Sequence, residues 1–450
     1  MKIISMNIKG LFGTFDYRIE FPKAESELFI ITGFNGYGKT TILNMINSLA
    51  KKDLFYFCLI SFNSVSICFD KGYELKITTM KNHDDVDEKS DVPVNSSRDV
   101  NFKLLYEGKP RDNIVLTAKE VAKEVRKKVK EIELQVASSK IRSHLSAPRF
   151  DKTVHEFLKK DKEVYASLLN QHRTSATLTV LSNLKVEFVE AQRTMKIITE
   201  TKQNTIHKKY VMTVLDVSGR LKSLLDKAKR EYLEKAQKID NTLVDSLLNR
   251  NNSLSKEDYE KRKKDAEKAI SELAEFGLVE PVKIRPYNDE QKTVLTVYLE
   301  KLEEKLNVYD PLREKLLLFK KMIDNLRFVG KKMSFSTVDG ILVESECGEL
   351  IDLDMLSSGE QNEIIMLYSA IFEVADNSIL LVDEPETSLH VEWQADFLDN
   401  LEQIAKVKSL QAIVSTHSPQ IIGSRWGQCY DLCEAISENS NQTTGTDITQ

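Results

Sequence analysis

The chain is 450 residues long, 41% apolar and 30% charged, with a formal charge of −5. That apolar content over that length suffices for a packed core in two or three domains, and the mild acidity excludes a uniformly basic nucleic-acid coat while leaving room for a local basic groove. Cys58, Cys68, Cys347, Cys429 and Cys433 show neither framework spacing nor a paired CxxC, which argues against a disulfide scaffold or a zinc site and for reduced thiols in a cytosolic protein.

The first residues, MKIISMNIKGLFGTFDYRIEF, alternate as β-strands do and carry charges, unlike a secretory leader. Residues 28–32, LFIIT, form an apolar strand that runs into GFNGYGKTT at residues 33–41 and then a helix. This is a phosphate-binding loop. Gly33 and Gly38 allow backbone conformations that would clash with a β-carbon, and backbone N–H groups can surround phosphates. Asn35, Gly36, Gly38, Lys39, Thr40 and Thr41 are the candidate ATP contacts, with Lys39 on the β- and γ-oxygens and the Thr40 hydroxyl on Mg²⁺. The most apolar stretch, residues 54–69, is interrupted by Ser61, Asn63, Ser64 and Ser66; it is too short and too polar to span a bilayer and reads as buried strand.

The middle of the chain is rich in lysine and glutamate. Thr117 with Glu120 forms a capping box before an amphipathic helix bearing Ala118, Ala122, Val125, Val129, Ile132 and Val136. Residues 186–193, VEFVEAQR, place Gln192 just past an apolar strand. Leu221, Leu225, Ala228, Tyr232 and Ile239 mark a further helix, residues 256–276 another closed by Gly277 and Pro281, and residues 295–306 and 312–326 two more. None sustains the heptads of a long coiled-coil arm, so a compact helical domain or short arm is expected. The basic runs at 123–130 and 261–264 (KRKK) lie among glutamates and read as solvated helix faces; HKK at 207–209 and Lys331 with Lys332 leave that choice open. No basic strand is interleaved with aromatics, so no sequence-specific nucleic-acid recognition is indicated.

Met333, Phe335 and Thr337 alternate into Asp339-Gly340, and Ile341 and Val343 alternate out again, a hairpin pattern. In LSSGEQ, residues 356–361, Ser357 and Glu360 make an ordinary capping box; the same serines and glycine at a helix N-terminus also suit a phosphate. The helix over 359–374 buries Ile364, Ile365, Leu367, Tyr368, Ile371 and Phe372. Residues 378–382 then form a buried parallel strand delivering Asp383 and Glu384 to its carboxyl end. Asp383 would hold Mg²⁺ through its water shell, and Glu384, next along on the other side of the pleat, is the candidate base for an attacking water. His417 ends the apolar strand of QAIVSTHSP, residues 411–419, where a side chain could sense a γ-phosphate. From Ser437 the residues are polar and simple in composition, and the tail is expected to be disordered.

In this order the four segments resemble the ABC-class ATPases of the SMC and RecF-like branch. Residues 33–41 match Walker A, Ser357, Ser358 and Gly359 the signature, Asp383 and Glu384 Walker B, Ser388, Leu389 and His390 the D-loop, and His417 the switch histidine. The resemblance implies ATP and Mg²⁺ as ligands. It also implies two heads sandwiching two nucleotides, in which Ser357, Ser358, Gly359, Glu360 and Ser388 of one copy close on Walker A of the other, in a homodimer or higher homo-oligomer. Gln192 would be the Q-loop glutamine, touching ATP and Mg²⁺; read from its residues alone it is a polar side chain at a strand end. The implied architecture is α/β, an ABC-type head with a P-loop mixed sheet. Its halves would lie at 1–110 and 330–435, split by a mainly helical insertion at 111–329 from which a strand returns near 180–195, with 436–450 as the tail.

The segments LSSGEQNEIIMLYSAIFEV, LLVDEPETSLHVEWQADFLDNLEQIA and STHSPQIIGSRW are similar to ATPases of bacterial antiphage systems, nearest the Septu-type and retron-associated ones, and AQKIDNTLVDSLL at 236–248 adds a weaker likeness. In such systems the ATPase controls a separate nuclease, often of the HNH type, or a toxin. His83, His144, His155, His172, His207, His390 and His417 are scattered, and little chain after Cys433 is left for a nuclease domain, so toxicity is expected in trans. The alternative is a RecF- or SMC-like repair or recombination ATPase that clamps DNA. Contact with DNA or RNA is compatible with either, membrane contact with neither. A transporter head fits poorly because DEPETSLH departs from the transporter form.

Overall fold

The computed structural model describes residues 1–22, 28–81, 98–117, 120, 175–190, 195–202, 205–249, 252–325, 328, 330–387, 389 and 391–435. The helix expected after Thr117 (save Glu120), Gln192, Ser388, His390 and the tail lie outside the described residues. Two compact units form, one from Met1–Glu190, Ala375–Glu386 and Ala395–Gln450, the other from Ala191–Val374 and Thr387–Gln394. The fold is α/β, and among the described residues no helix is long and apolar enough to cross a membrane.

The first unit holds two sheets. One is all-parallel, in the order β16 (Cys429–Asp431), β3 (Leu28–Thr32), β15 (Gln411–Ser415), β14 (Ile379–Asp383), β8 (Val186–Glu190). Every residue of β3 and β15, and the first four of β14, are buried, which is what uninterrupted apolar runs dictate for strands covered on both faces. The helix Lys39–Ala50 packs on β8, β14 and β15, and the helix Phe397–Lys408 on β15 and β3. The other sheet is antiparallel, in the order β2 (Phe15–Glu20), β1 (Ile3–Leu11), β4 (Ser64–Phe69), β5 (Tyr73–Lys81), β6 (Arg98–Tyr106), β7 (Lys109–Leu116). One hydrophobic core, including Ile8, Ile42, Phe57, Ile67, Phe102, Leu381 and Ile413, joins the two sheets through the helix Lys39–Ala50. A buried carboxamide joins them as well: Gln411 Nε2 donates to Ile3 O (2.7 Å) and Gln411 Oε1 accepts from Ile3 N (2.9 Å).

Residues 54–69 are only partly strand. Asp53 Oδ1 accepts the Tyr56 N–H (3.1 Å) and starts a helical turn, Tyr56–Leu59, before β4 begins. A short apolar run is compatible with either element, and a side-chain cap decides it locally. Thr117 and Glu120 exchange the capping bonds, Glu120 N to Thr117 Oγ1 and Thr117 N to Glu120 Oε2, each 3.3 Å. Where the chain is next described, Asp112 on β7 meets the helix Ala176–Leu181: its Oδ2 accepts from Thr177 N and Thr177 Oγ1 (both 2.8 Å) and from Ser175 Oγ. Burial opposes the Asp112 charge, but these bonds outweigh it and hold the carboxyl below its ordinary value.

The second unit is mainly helical. A hairpin of β9 (Met195–Lys202) and β10 (Thr205–Met212) leads into the 29-residue helix Thr213–Asn241, followed by the helices Lys256–Ala274, Lys292–Leu306 and Asp310–Asn325. The KRKK run lies on the second of these. Rather than a simply solvated face, the run is partly tied down: Arg262 pairs with Glu303 on the next helix (Nε to Oε1, 3.0 Å) and Lys263 with Glu260 on its own (3.5 Å). Then come β11 (Lys331–Ser336), β12 (Gly340–Ser345) and β13 (Leu350–Ile351). Gly340 has φ +82°, and a β-carbon there would lie 2.3 Å from the carbonyl oxygen of Ser218 on the long helix, so the turn requires glycine. Helix Ser358–Tyr368 ends in a π-helical turn, Ser369–Glu373. Phe319 packs against Phe335, Tyr368 and Phe372 around it.

Candidate active site

Three neighbouring parallel strands, β3, β15 and β14, end at one edge of the first unit and bring together segments far apart in sequence. The ends are stitched by backbone bonds, Thr416 N to Ile31 O (3.1 Å) and Glu384 N to Ser415 O (2.9 Å).

From β3 the chain enters the glycine loop. Gly36 and Gly38 both have φ +91°, and Gly38 caps the helix Lys39–Ala50 without any side chain. A β-carbon on Gly38 would approach Leu11 Cδ2 to 2.8 Å. The first turn of the helix carries no acidic residue, so its positive end is left open to an anion. Tyr17 donates from its hydroxyl to Tyr37 O (2.7 Å), anchoring the loop to β2. Lys39, almost fully buried, curls across the loop with Nζ donating to Gly33 O (2.8 Å) and Phe34 O (3.3 Å), while Asn35, Gly36 and Thr40 are exposed and Thr41 half-buried.

From β14 and β15 come the acids and the histidine. Asp383 Oδ1 accepts from Ser415 Oγ, which holds the carboxyl at the strand end. Glu384 does not continue the pleat as the alternation predicts. It leaves the strand with φ +44°, a left-handed conformation that costs a non-glycine residue about 1–3 kcal/mol, and the turn Pro385–Thr387 follows. His417 Nδ1 lies 4.0 Å from Glu384 Oε1 and 2.9 Å from Glu386 Oε1. Glu386 also accepts from His417 N and Thr416 Oγ1, each at 2.9 Å. Ser415, Thr416 and Glu386 were not singled out by motif reading. The acid two residues after Glu384 in DEPE is the one sequence signal for Glu386, and it gains meaning only once β15 lies beside β14.

The second unit carries the signature-like segment. Ser357 Oγ accepts from Glu360 N (3.3 Å) and Glu360 Oε2 accepts from Ser357 N (2.8 Å), the full capping box. Lys331 on β11 donates to both Glu360 oxygens (2.7 and 3.0 Å). Burial disfavours the Glu360 charge, yet Lys331 and the Ser357 bonds outweigh it and hold the carboxyl below its ordinary value. That carboxylate therefore serves the cap and Lys331, whereas Ser357 and Ser358 are exposed and Gly359 half-exposed.

A family model described as AAA ATPase domain matches residues 1–422. No curated protein matches the chain. Similar solved structures include an SmcHead bound to the C-winged helix domain of ScpA, 12% identical, covering 94% of this chain and 91% of that one at a TM-score of 0.31. An Smc head domain with an extended coiled coil bound to the C-terminal domain of ScpA, derived from Pyrococcus furiosus, is 14% identical over 93% and 90% of the two chains, with a TM-score of 0.29. The SMC head domain from Thermotoga maritima is 11% identical over 94% and 91%, with a TM-score of 0.29.

Proposed function

The chain belongs to the AAA ATPase domain family, and from that membership we propose that it is the ATP-hydrolysing sensor or regulator subunit of a bacterial antiphage defence system, two copies closing composite ATP sites and controlling a separate nuclease or toxin. The observation that carries the ATPase part is the shared edge of β3, β15 and β14, where the glycine loop leading to Lys39 follows β3, Asp383 ends β14, and Glu384 and His417 lie just past the ends of β14 and β15. The defence part is supported by the likeness of residues 356–374, 380–405 and 415–426 to Septu-type and retron-associated ATPases.

The donor set suits Mg²⁺, a hard cation that keeps several waters and takes few protein oxygens beside phosphate: the Thr40 hydroxyl and, through water, the Asp383 carboxylate would hold it, where it neutralises phosphate charge. Lys39 turns from the loop carbonyls to the β- and γ-oxygens. Glu384 would accept a hydrogen bond from the attacking water and take its proton, and His417 would face the γ-phosphate. Ser357, Ser358 and Gly359 of the second copy, with Ser388, present their helix N-terminus to the same phosphates.

The test compares wild type and Lys39→Ala for ATP hydrolysis by the native complex and for phage plaquing on cells carrying the surrounding genes. Loss of both is expected. Hydrolysis independent of Lys39 would remove the site, and sensitivity to DNA damage with unchanged plaquing would move the chain to a RecF- or SMC-like repair role. Mass spectrometry of the co-purified complex names the partner. Plasmid cleavage by the purified chain, equal in Lys39→Ala, would refute toxicity in trans.

A further inference from the structure

Glu386 does more than close a turn. Its side chain is only 9% exposed, and its carboxylate holds two successive residues at the exit of β15: Oε2 accepts from Thr416 Oγ1 and Oε1 from the backbone N–H of His417, each at 2.9 Å, and Nδ1 of His417 lies 2.9 Å from the same Oε1. A carboxylate oxygen accepts hydrogen bonds, so an imidazole nitrogen this close to it is favoured in its N–H form. The ring's identity as hydrogen-bonding partner is thereby set: Nδ1 faces Glu386, and Nε2 is the nitrogen left for whatever enters the site. Because backbone N–H and Nδ1 converge on a single oxygen, rotation of the imidazole would carry Nδ1 away from a nearly buried acceptor. The anchor sits two residues beyond Glu384, with only Pro385 between them, and Glu384 is itself held in left-handed backbone. One short turn thus carries both the candidate base and the group that orients the candidate sensor.

We propose that Glu386 is a positioning residue for ATP hydrolysis, fixing the tautomer and orientation of His417 so that Nε2 is presented to the γ-phosphate in register with Glu384. The inference rests on the ATPase reading. It adds a carboxylate–histidine pair to the site, built on the residue that follows Asp383-Glu384-Pro385.

The experiment has two arms on the full chain. In steady-state kinetics, Glu386→Ala should lower kcat by about 10–100-fold, the usual loss when an orienting partner is removed, with the KM for ATP shifted less than about threefold. Glu386→Gln, whose carbonyl oxygen can still accept from both nitrogens, should recover much of the rate. Adding Glu386→Ala to His417→Ala should cost little more than His417→Ala alone, since the two act as one device. In the second arm, spectra of ¹⁵N-histidine-labelled protein, with the His417 signals identified by their loss in His417→Gln, should show a protonated Nδ1 in wild type and a shift toward protonated Nε2 in Glu386→Ala. Independent, multiplying rate losses, or an unchanged His417 tautomer in Glu386→Ala, would overturn the proposal. If wild type and Lys39→Ala hydrolyse ATP equally, the ATPase reading fails, and the tautomer arm still decides what Glu386 does to the ring.

Discussion

Gly36 and Gly38 share a φ of +91° but not their surroundings, which makes the pair a controlled perturbation of the phosphate loop. A β-carbon on Gly36 meets no heavy atom within 4 Å, whereas one on Gly38 would lie 2.8 Å from Leu11 Cδ2 and 3.4 Å from Phe12 Cε2. Either alanine forces an L-residue into left-handed backbone, at about 1–2 kcal/mol. Gly38→Ala adds overpacking, which costs about 1–3 kcal/mol in general. Leu11 Cδ2 is the end of a side chain rather than backbone and can give by a few tenths of an ångström, which keeps the extra cost near the bottom of that range, about 1 kcal/mol. The loop relieves both penalties by leaving its present shape, so they register in nucleotide affinity. At about 1.4 kcal/mol per tenfold, Gly36→Ala should weaken ATP binding about 5- to 30-fold, and Gly38→Ala roughly fivefold further. Equilibrium titration with ATP and Mg²⁺ in a Glu384→Gln background measures this without turnover. Equal affinities for the two alanine variants, or wild-type affinity in Gly38→Ala, would refute the reasoning.

Glu384→Gln by itself should keep ATP binding and slow turnover strongly, trapping a nucleotide-bound dimer visible by gel filtration; unaltered hydrolysis would remove Glu384 as the base. Ser358→Arg should spare ATP binding but abolish ATP-induced association, because Ser358 is exposed at its helix N-terminus and the capping atoms belong to Ser357 and Glu360; normal association in light scattering would unseat the signature assignment. Gly340→Ala sets a β-carbon 2.3 Å from the backbone oxygen of Ser218 and should destabilise the second unit by at least about 3 kcal/mol, read as a lowered denaturation midpoint; a midpoint within a degree of wild type would contradict it. Asp112→Ala should raise hydrogen exchange in the helix Ala176–Leu181 by removing the carboxylate that, beside the N-cap Ser175, accepts from Thr177 N and Thr177 Oγ1, bonds together worth about 1–2 kcal/mol. In wild type the Asp112 carboxyl is depressed in the fold, so its stabilisation is complete above the ordinary carboxylate range, near pH 4, and is lost as pH falls through the lower folded value. Protection that does not weaken over that acid limb would deny the role.

The parts of the site that were legible in sequence are those dictated locally. LFIIT before GFNGYGKTT, and ILLVD before Glu384, announce themselves because a strand buried on both faces must be apolar throughout, and the hairpin at Asp339-Gly340 because alternation and turn chemistry meet there. The capping box of Ser357 and Glu360 was equally visible, but its partner Lys331 was not, since 29 residues separate Lys331 from Glu360. Glu386 and Ser415 were missed for the same reason: each acquires its role from a neighbouring strand whose register no local pattern encodes. The order of the antiparallel sheet, with β4 beside β1, is likewise a matter of long-range pairing. Asp53 turned part of an apolar run into helix, and Ser369–Glu373 wound into a π turn where periodicity reads plain α-helix.

Gln411 begins β15, the strand that runs out two residues before His417, and its buried amide is clasped by both backbone groups of Ile3. With one end fastened to the opening strand of the chain and the residues beyond its other end to Glu386, β15 is a strut that cannot slide lengthwise without breaking bonds at both moorings and along its ladders to β3 and β14. The turn from Glu384 to Thr387, with its left-handed first residue, belongs to the neighbouring strand β14, so Glu386 ties the exit of β15 to a segment whose backbone is itself held out of the ordinary strand conformation.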